Sequence, residues 1–248
     1  MITGLNPRSD SVSGAQWVPT YNALIRGIAE ARQLPFIDLY QATVGLPQMG
    51  LVSDGIHGNV YSSGGAQPCV FNATELQSNY NIRNLLTLEA LAAVWPLLAD
   101  AQAKAPDAET AQLKGIGSLS DPYVIEQLPF THAGDTAASP NQALDSYPGC
   151  NADQDESGRE YIYRFELKKT TAVRIFVLDR SGVDIDVHLL DSSATVAGCI
   201  ERDDRIIERS LPAGVYHLAI DSFVSSGAAK EGPYQLVMVA CEAGDPDC

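Results

Sequence analysis

The sequence predicts two architectures in tandem: an α/β segment with a parallel sheet over residues 1–100, and an all-β antiparallel sandwich over residues 120–248. Three observations carry this reading. The first hundred residues run in the order amphipathic helix, short apolar strand, loop, apolar helix, an order that points to α/β. Beyond residue 120 the apolar period switches to two, as half-buried strands require. Between them residues 101–119 are dominated by Ala, Asp, Lys, Gly and Ser, the composition of a linker.

Residues 20–33 place Tyr21, Leu24, Ile25 and Ile28 on one helical face, with Pro19 suited to the first turn. Residues 34–40 are a short apolar run behind one Pro, the pattern of a buried parallel strand. Residues 41–72 are rich in Gly, Ser and Pro and read as a loop. Residues 80–98 form a long apolar helix through Leu85, Leu88, Leu91, Ala92 and Trp95, which Pro96 kinks or ends. In the second segment Tyr161, Tyr163, Phe165 and Leu167 alternate with polar residues. So do Val173, Ile175 and Val177; Ile185, Val187 and Leu189; Tyr216, Leu218 and Ile220; and Tyr234, Leu236 and Met238. Leu211-Pro212-Ala213-Gly214 is a tight turn feeding the strand that starts at Val215.

With 248 residues, 45% of them hydrophobic, and a mean hydropathy of −0.05, the chain has enough apolar material for packed cores. The net charge of −15 is concentrated in the second segment: residues 1–100 hold 7 acidic and 4 basic side chains, the remainder 24 and 12. Such a surface excludes nucleic acid as a partner, because phosphate contacts need clustered Lys and Arg. No run of 18 apolar residues occurs, so no membrane span is expected. No signal peptide is visible either. The opening Ile2-Thr3-Gly4-Leu5-Asn6-Pro7 reads as the end of a buried strand entering a loop, so the first segment is expected to be the later part of a larger domain.

Cys69 stands alone in the first segment, while Cys150, Cys199, Cys241 and Cys248 lie in the second. Four cysteines in one β-rich segment predict two disulfides and an oxidising compartment, secreted or periplasmic. Three connectivities are open on sequence alone. The pairing Cys150–Cys199 with Cys241–Cys248, leaving Cys69 free, fits cysteines placed outside strand ends.

The candidate chemistry lies in Asp54-Gly55-Ile56-His57-Gly58. A carboxylate three residues before a histidine can fix its tautomer and stabilise its charged form, which makes Asp54 the orienting partner and His57 a general base. The plain alternative is a surface turn. Order and wording together resemble the C-terminal half of the SGNH (GDSL-type) serine hydrolases, a three-layer α/β family whose last motif is Asp-x-x-His. The resemblance covers about residues 1–100 and implies ester hydrolysis by a Ser-His-Asp mechanism. It implies a small ester or acylated polysaccharide as substrate, with no cofactor required. The nucleophile is not in this chain: there is no Gly-Asp-Ser and no Gly-x-Asn-Asp motif. The family often has Pro after the histidine, where this chain has Gly58. Ser9, Ser11, Ser13, Ser53, Ser62 and Ser63 lie in turns or loops without the Gly-flanked strand-to-helix setting of a nucleophile.

The second segment resembles the bacterial pre-peptidase C-terminal domains, jelly-roll-like sandwiches attached to secreted hydrolases, some of which bind calcium. The matching residues are Asp184-Ile185-Asp186-Val187-His188-Leu189-Leu190, Leu211-Pro212-Ala213-Gly214-Val215-Tyr216 with Asp221, and Gly232-Pro233-Tyr234-Gln235-Leu236. Asp184, Asp186, Asp203 and Asp204, with Asp221, are candidate oxygen ligands for calcium. His188 alternates away from Val187 and Leu189, so it is expected at the surface. His132 and His217 have no partner that the sequence identifies. The competing function is a non-catalytic binding protein whose sandwich takes calcium, carbohydrate or a protein partner. The sequence leaves the oligomeric state open.

Overall fold

The computed structural model describes residues 1–32, 34–100 and 113–241, apart from the side chains of residues 30 and 31. The chain divides into two compact units, Met1–Thr110 and Ala111–Cys248. Most of the predicted linker lies outside the described residues. Residues 113–119, however, belong to the second unit. There Lys114 O accepts from Val124 N (3.0 Å) and Gly117 O from Ile162 N (2.9 Å). Gly115 and Gly117 at φ +92° and +75° let the chain turn onto the sheet.

The first unit is a β-α-β arrangement followed by two helices. Strand β1 (Ile2–Thr3) pairs in parallel with β2 (Phe36–Ile37), and α1 (Val12–Ala31) connects them. Helix α1 starts eight residues before the predicted helix, so Pro19 lies inside it. The overlooked signal is Ser11, whose Oγ accepts from Gly14 N (3.1 Å) in the manner of an N-cap. The predicted face is also displaced, since Tyr21 and Ile28 are exposed while Val18, Ala23 and Ala29 are buried. The predicted strand over 34–40 is cut short. Asp38 caps α2 (Leu39–Val44) by accepting from Gln41 N (3.1 Å), which turns the chain out of the sheet at Leu39.

Helix α3 (Asn79–Ala99) absorbs Pro96 in its last turn without ending there. Leu88, Leu91, Trp95 and Leu98 on it are exposed. By length and composition α3 could cross a membrane: its best 18-residue window has a mean hydropathy of 1.3. Counting only uninterrupted apolar runs missed it, because Arg83, Asn84, Thr87 and Glu89 break the run.

The second unit is a largely antiparallel sandwich of two facing sheets. Its strands in chain order are β3 (Tyr123–Ile125), β4 (Phe130–Asp135), β5 (Tyr161–Leu167), β6 (Thr171–Leu178), β7 (Ile185–Leu190), β8 (Cys199–Asp203), β9 (Ile206–Leu211), β10 (Gly214–Ser222), β11 (Val224–Ser225), β12 (Ala228–Ala229) and β13 (Pro233–Ala240). One sheet has the order β3-β5-β10-β7-β8 and the other β4-β13-β6-β9; β11 and β12 form a small separate hairpin. Only β3 on β5 is parallel within the two large sheets. The core between the sheets uses alternate residues, among them Tyr163 and Phe165, Ile175 and Val177, Val187 and Leu189, Leu218 and Ile220, Leu236 and Met238. Period two thus becomes one buried face per strand.

A second cluster covers the other face of the five-stranded sheet. Leu144, Tyr147 and Ala152, from the long connection between β4 and β5, pack on Ile162, Leu190, Cys199 and Ala219. The disulfide Cys150–Cys199, at the predicted pairing, pins this cover to β8. Strand β7 is consequently buried on both faces. Cys69 is free and exposed. Cys241 is disulfide-bonded, and Cys248, its predicted partner, lies outside the described residues.

At one side of the main core His132 Nδ1 meets the Tyr163 hydroxyl (2.5 Å), which in turn meets the Tyr234 hydroxyl (2.6 Å). Tyr123 and Phe130 complete the aromatic surround. Burial pushes His132 down to about 4. Its imidazole is therefore neutral when folded but takes a proton below about 6.5 when unfolded. Stability should fall as pH drops from about 6.5 to about 4, by about 2 kcal/mol attributable to this residue. Urea unfolding of His132→Phe at pH 7 and pH 4.5 checks it: equal pH dependence in variant and parent would exclude His132 as the source.

Candidate functional site

The Asp54–His57 turn is built by hydrogen bonds that one carboxylate makes twice over. Gly55 N donates to Val52 O (3.0 Å) and Val52 N to His57 O (2.9 Å), closing the turn. Asp54 Oδ1 accepts from Ile56 N (2.9 Å) and His57 N (3.0 Å). That leaves Oδ2 to hold His57 Nδ1 at 2.7 Å. The backbone donors, followed by the imidazole, bring the Asp54 carboxyl down to about 2, so it is ionised at neutral pH.

The glycines on either side are structural requirements. Gly55 has φ +72°, and a Cβ there would stand 2.7 Å from Asp10 N. Its carbonyl accepts from Ser9 N (2.9 Å), tying the turn to the segment after β1. A Cβ on Gly58 would meet the Asn79 amide. Asn79, at the start of α3, donates its backbone N–H to Asn59 Oδ1 (2.8 Å) and its side-chain amide to Asn6 Oδ1 (3.1 Å). The space next to His57 is therefore filled by Asn79, which accounts for Gly at 58.

The His57 side chain is 73% exposed, with Nδ1 against the Asp54 carboxyl and Nε2 on the opposite side of the ring. Among the described residues no serine hydroxyl hydrogen-bonds this ring. Ser11 caps α1, and Ser62 and Ser63 lie in a loop where Ser62 bridges to Ala66.

The four predicted calcium ligands do not form a close group of ligand atoms, although Asp186 and Asp204 share the Arg202 guanidinium. Asp203 Oδ1 accepts from Arg205 N (2.8 Å) and Ile206 N (3.0 Å) and so shapes the β8–β9 turn. Asp204 pairs with Arg202 Nη1 at 3.0 Å. Asp184 sits at the end of β7, its carboxyl raised by burial and then by Asp179 and Asp204. Asp186 is directed elsewhere, under the cover of the five-stranded sheet. There Glu156, Asp186 and His188 bring one potential ligand atom each within 4.8 Å of one another, the only such group of three among the described residues. Asp186 Oδ2 accepts from Arg202 Nη2. Asp221, the fifth acidic candidate, accepts from the Tyr147 hydroxyl (2.5 Å) and from Ser222 N (2.7 Å).

His188 is fully buried, contrary to its expected place at the surface. Alternation does put it opposite Val187 and Leu189, but that face is covered by the connection carrying Tyr147, whose ring stacks on the imidazole at 3.5 Å. Burial, with Arg202 nearby, brings His188 down to about 3, so it is neutral. Burial first, and Asp186 second, favours the protonated form of Glu156; burial also raises Asp221. The pair Asp186-x-His188 was readable as two polar groups on one strand face. Glu156, in a loop, gave no periodic signal. His217 also finds a partner, with Nδ1 3.1 Å from Asp191 O.

No protein-family model matches the chain, and no curated protein matches it. Among solved structures the chain is similar to the pre-peptidase C-terminal domain of a collagenase from Bacillus anthracis, at 15% identity and a TM-score of 0.31, over 47% of this chain and 95% of that one. It is also similar to PliG of Aeromonas hydrophila, a periplasmic inhibitor of g-type lysozyme, at 12% identity and 0.31 over 47% and 95%. The corresponding inhibitor of Salmonella Typhimurium gives 12% and 0.28 over 47% and 96%. The sandwich assignment rests on the two facing sheets themselves.

Proposed function

We propose that the first unit carries the histidine and aspartate of an SGNH-type ester hydrolase, with the sandwich as an accessory unit of an exported protein. The observation that supports this most is the 2.7 Å contact between His57 Nδ1 and Asp54 Oδ2, with Nε2 left open. The β-α-β order and the clamp of Asn6, Asn59 and Asn79 around the turn agree with it. Export is supported by the Cys150–Cys199 disulfide.

In this reading a serine hydroxyl supplied outside these 248 residues attacks an ester carbonyl while His57 Nε2 takes its proton. Asp54 stabilises the imidazolium that forms. The same proton then passes to the departing alcohol, and water repeats the sequence to release the acid. The substrate class is a small ester or an acylated polysaccharide.

The coding sequence on the 5′ side of Met1 tests the reading directly. An in-frame Gly-Asp-Ser followed by Gly-x-Asn-Asp supports it, and an in-frame stop with neither motif overturns it. For the protein, the chain of 248 residues should hydrolyse no short-chain activated ester above background. A chain that includes the serine motif should turn over, and His57→Ala should lower its kcat by about a thousandfold or more. Turnover by the 248 residues that vanishes in His57→Ala would reveal a serine within them.

A further inference from the structure

We propose that Glu156, Asp186 and His188 form a site for one divalent transition-metal ion of the zinc class, seated beneath the cover of the five-stranded sheet. The proposal is separate from the ester-hydrolase reading and draws on none of its residues.

Three observations point to an ion. The first is convergence of the ligand set: an imidazole and two carboxylates from β7 and the Asp155-Glu156-Ser157 loop, with one donor atom of each inside a 4.8 Å span. His188 Nε2 lies 3.9 Å from Glu156 Oε1. Ligands on a tetrahedral ion with bonds of about 2.1 Å stand about 3.4 Å apart, so the His188–Glu156 pair would close by about 0.5 Å and no pair by more than about 1.4 Å. The second is that the imidazole is buried without a partner. Glu156 and His188 are both 0% exposed, neither His188 nitrogen has a hydrogen-bond partner, and Glu156 has only the neighbouring Asp186 carboxyl and, at 3.7 Å, Arg202. Buried polar atoms without partners are rare because each forfeits its solvation. One ion would take one His188 nitrogen and one oxygen from each carboxylate.

The third observation is charge. Glu156, Asp186 and Asp221 bring three carboxyl groups into a buried region that holds one guanidinium, Arg202. The rest of the neighbourhood has the form of an outer shell. Tyr147 fixes the His188 ring by stacking on it and donates its hydroxyl to Asp221, while Arg202 donates to Asp186 Oδ2. The donor set selects the metal class: imidazole with two carboxylates suits zinc and its neighbours, whereas calcium takes six to eight oxygens and no nitrogen. Burial means that the ion would be enclosed as residues 142–156 close over the sheet.

The test uses the full chain, stripped with a chelator and titrated with Zn2+ and with Co2+. Expected is one ion per chain, a cobalt spectrum of low coordination number, and at least tenfold weaker binding in Glu156→Gln and in His188→Gln. Asp203→Asn, Cys69→Ser and His57→Ala should bind as the parent does. If either ligand variant fails to fold, X-ray absorption at the zinc edge of the parent decides, with a shell of nitrogen and oxygen including an imidazole and no sulfur. The proposal is overturned by no uptake of either metal, by a sulfur ligand, by loss of the ion in the Cys69 or His57 variant, or by a site that takes Ca2+ but not Zn2+. Absence of uptake would mean that protons on the carboxyl groups neutralise the cluster instead.

Discussion

Replacing Cys150 and Cys199 together by Ala is expected to lower the stability of the sandwich by about 4 kcal/mol. The bond joins residues 49 apart, and a crosslink closing a loop of that length restricts the unfolded chain by about this amount on chain-entropy grounds. The folded state loses something too. Cys150 belongs to the short helical turn Pro148–Cys150, beside Tyr147 in the cover, and Cys199 begins β8. Without the bond the cover is held to the sheet only by the small cluster around Leu144, Tyr147 and Leu190 and by its hydrogen bonds. Urea unfolding of the double variant, followed by circular dichroism, measures the loss. A change under about 1 kcal/mol would mean that the unfolded chain is already compact here, so that the crosslink removes little freedom.

That cover is also where the sequence was least legible. The five strands read from the period of two are β5, β6, β7, β10 and β13, and all five are interior strands of their sheets. The four strands missed in the large sheets are β3, β4, β8 and β9, and each is an edge. An interior strand is flanked on both sides, so its inward residues form a dense apolar series. An edge strand has a solvated flank and carries charge to discourage further pairing. In β8, Cys-Ile-Glu-Arg-Asp, and β9, Ile-Ile-Glu-Arg-Ser-Leu, the charged pairs dilute the alternation. Alternation also states which face a residue is on, not what lies over that face. His188 was therefore assigned to the right side of β7 and the wrong environment, because the covering segment comes from residues 142–156, with no period of its own.

The first unit divides in the same way. The Asp54–His57 pair was legible because its geometry is local: three residues apart, the carboxylate reaches the turn amides and the imidazole without help from distant parts of the chain. Pro19 suits a first turn, but α1 begins earlier because Ser11 caps it. The end of β2 was misread because apolar Leu39 continues the strand pattern after Asp38 has already capped α2. In both cases a side chain bonded to backbone N–H groups decided the boundary, and hydrophobic patterning carries no information about that.

Tyr147 offers the second large effect, and two substitutions separate its parts. The side chain is fully buried, its ring lies on His188, and its hydroxyl donates to Asp221 Oδ2 at 2.5 Å. Tyr147→Phe keeps the ring and removes the donor. Asp221, itself fully buried, then keeps the Ser222 N–H on its other oxygen, and an unpaired buried acceptor costs about 1–3 kcal/mol. Tyr147→Ala adds a cavity over the five-stranded sheet and uncovers His188, for a total of about 3–5 kcal/mol. Both are read from urea midpoints against the parent. If Phe costs less than about 0.5 kcal/mol while Ala costs the full amount, Asp221 does not need the phenol, and Tyr147 serves as a lid over the histidine. If the two cost the same, the hydroxyl carries the effect and the ring contributes little, which would contradict the packing of Tyr147 against His188 and Leu190 as the element that buries the outer face of β7.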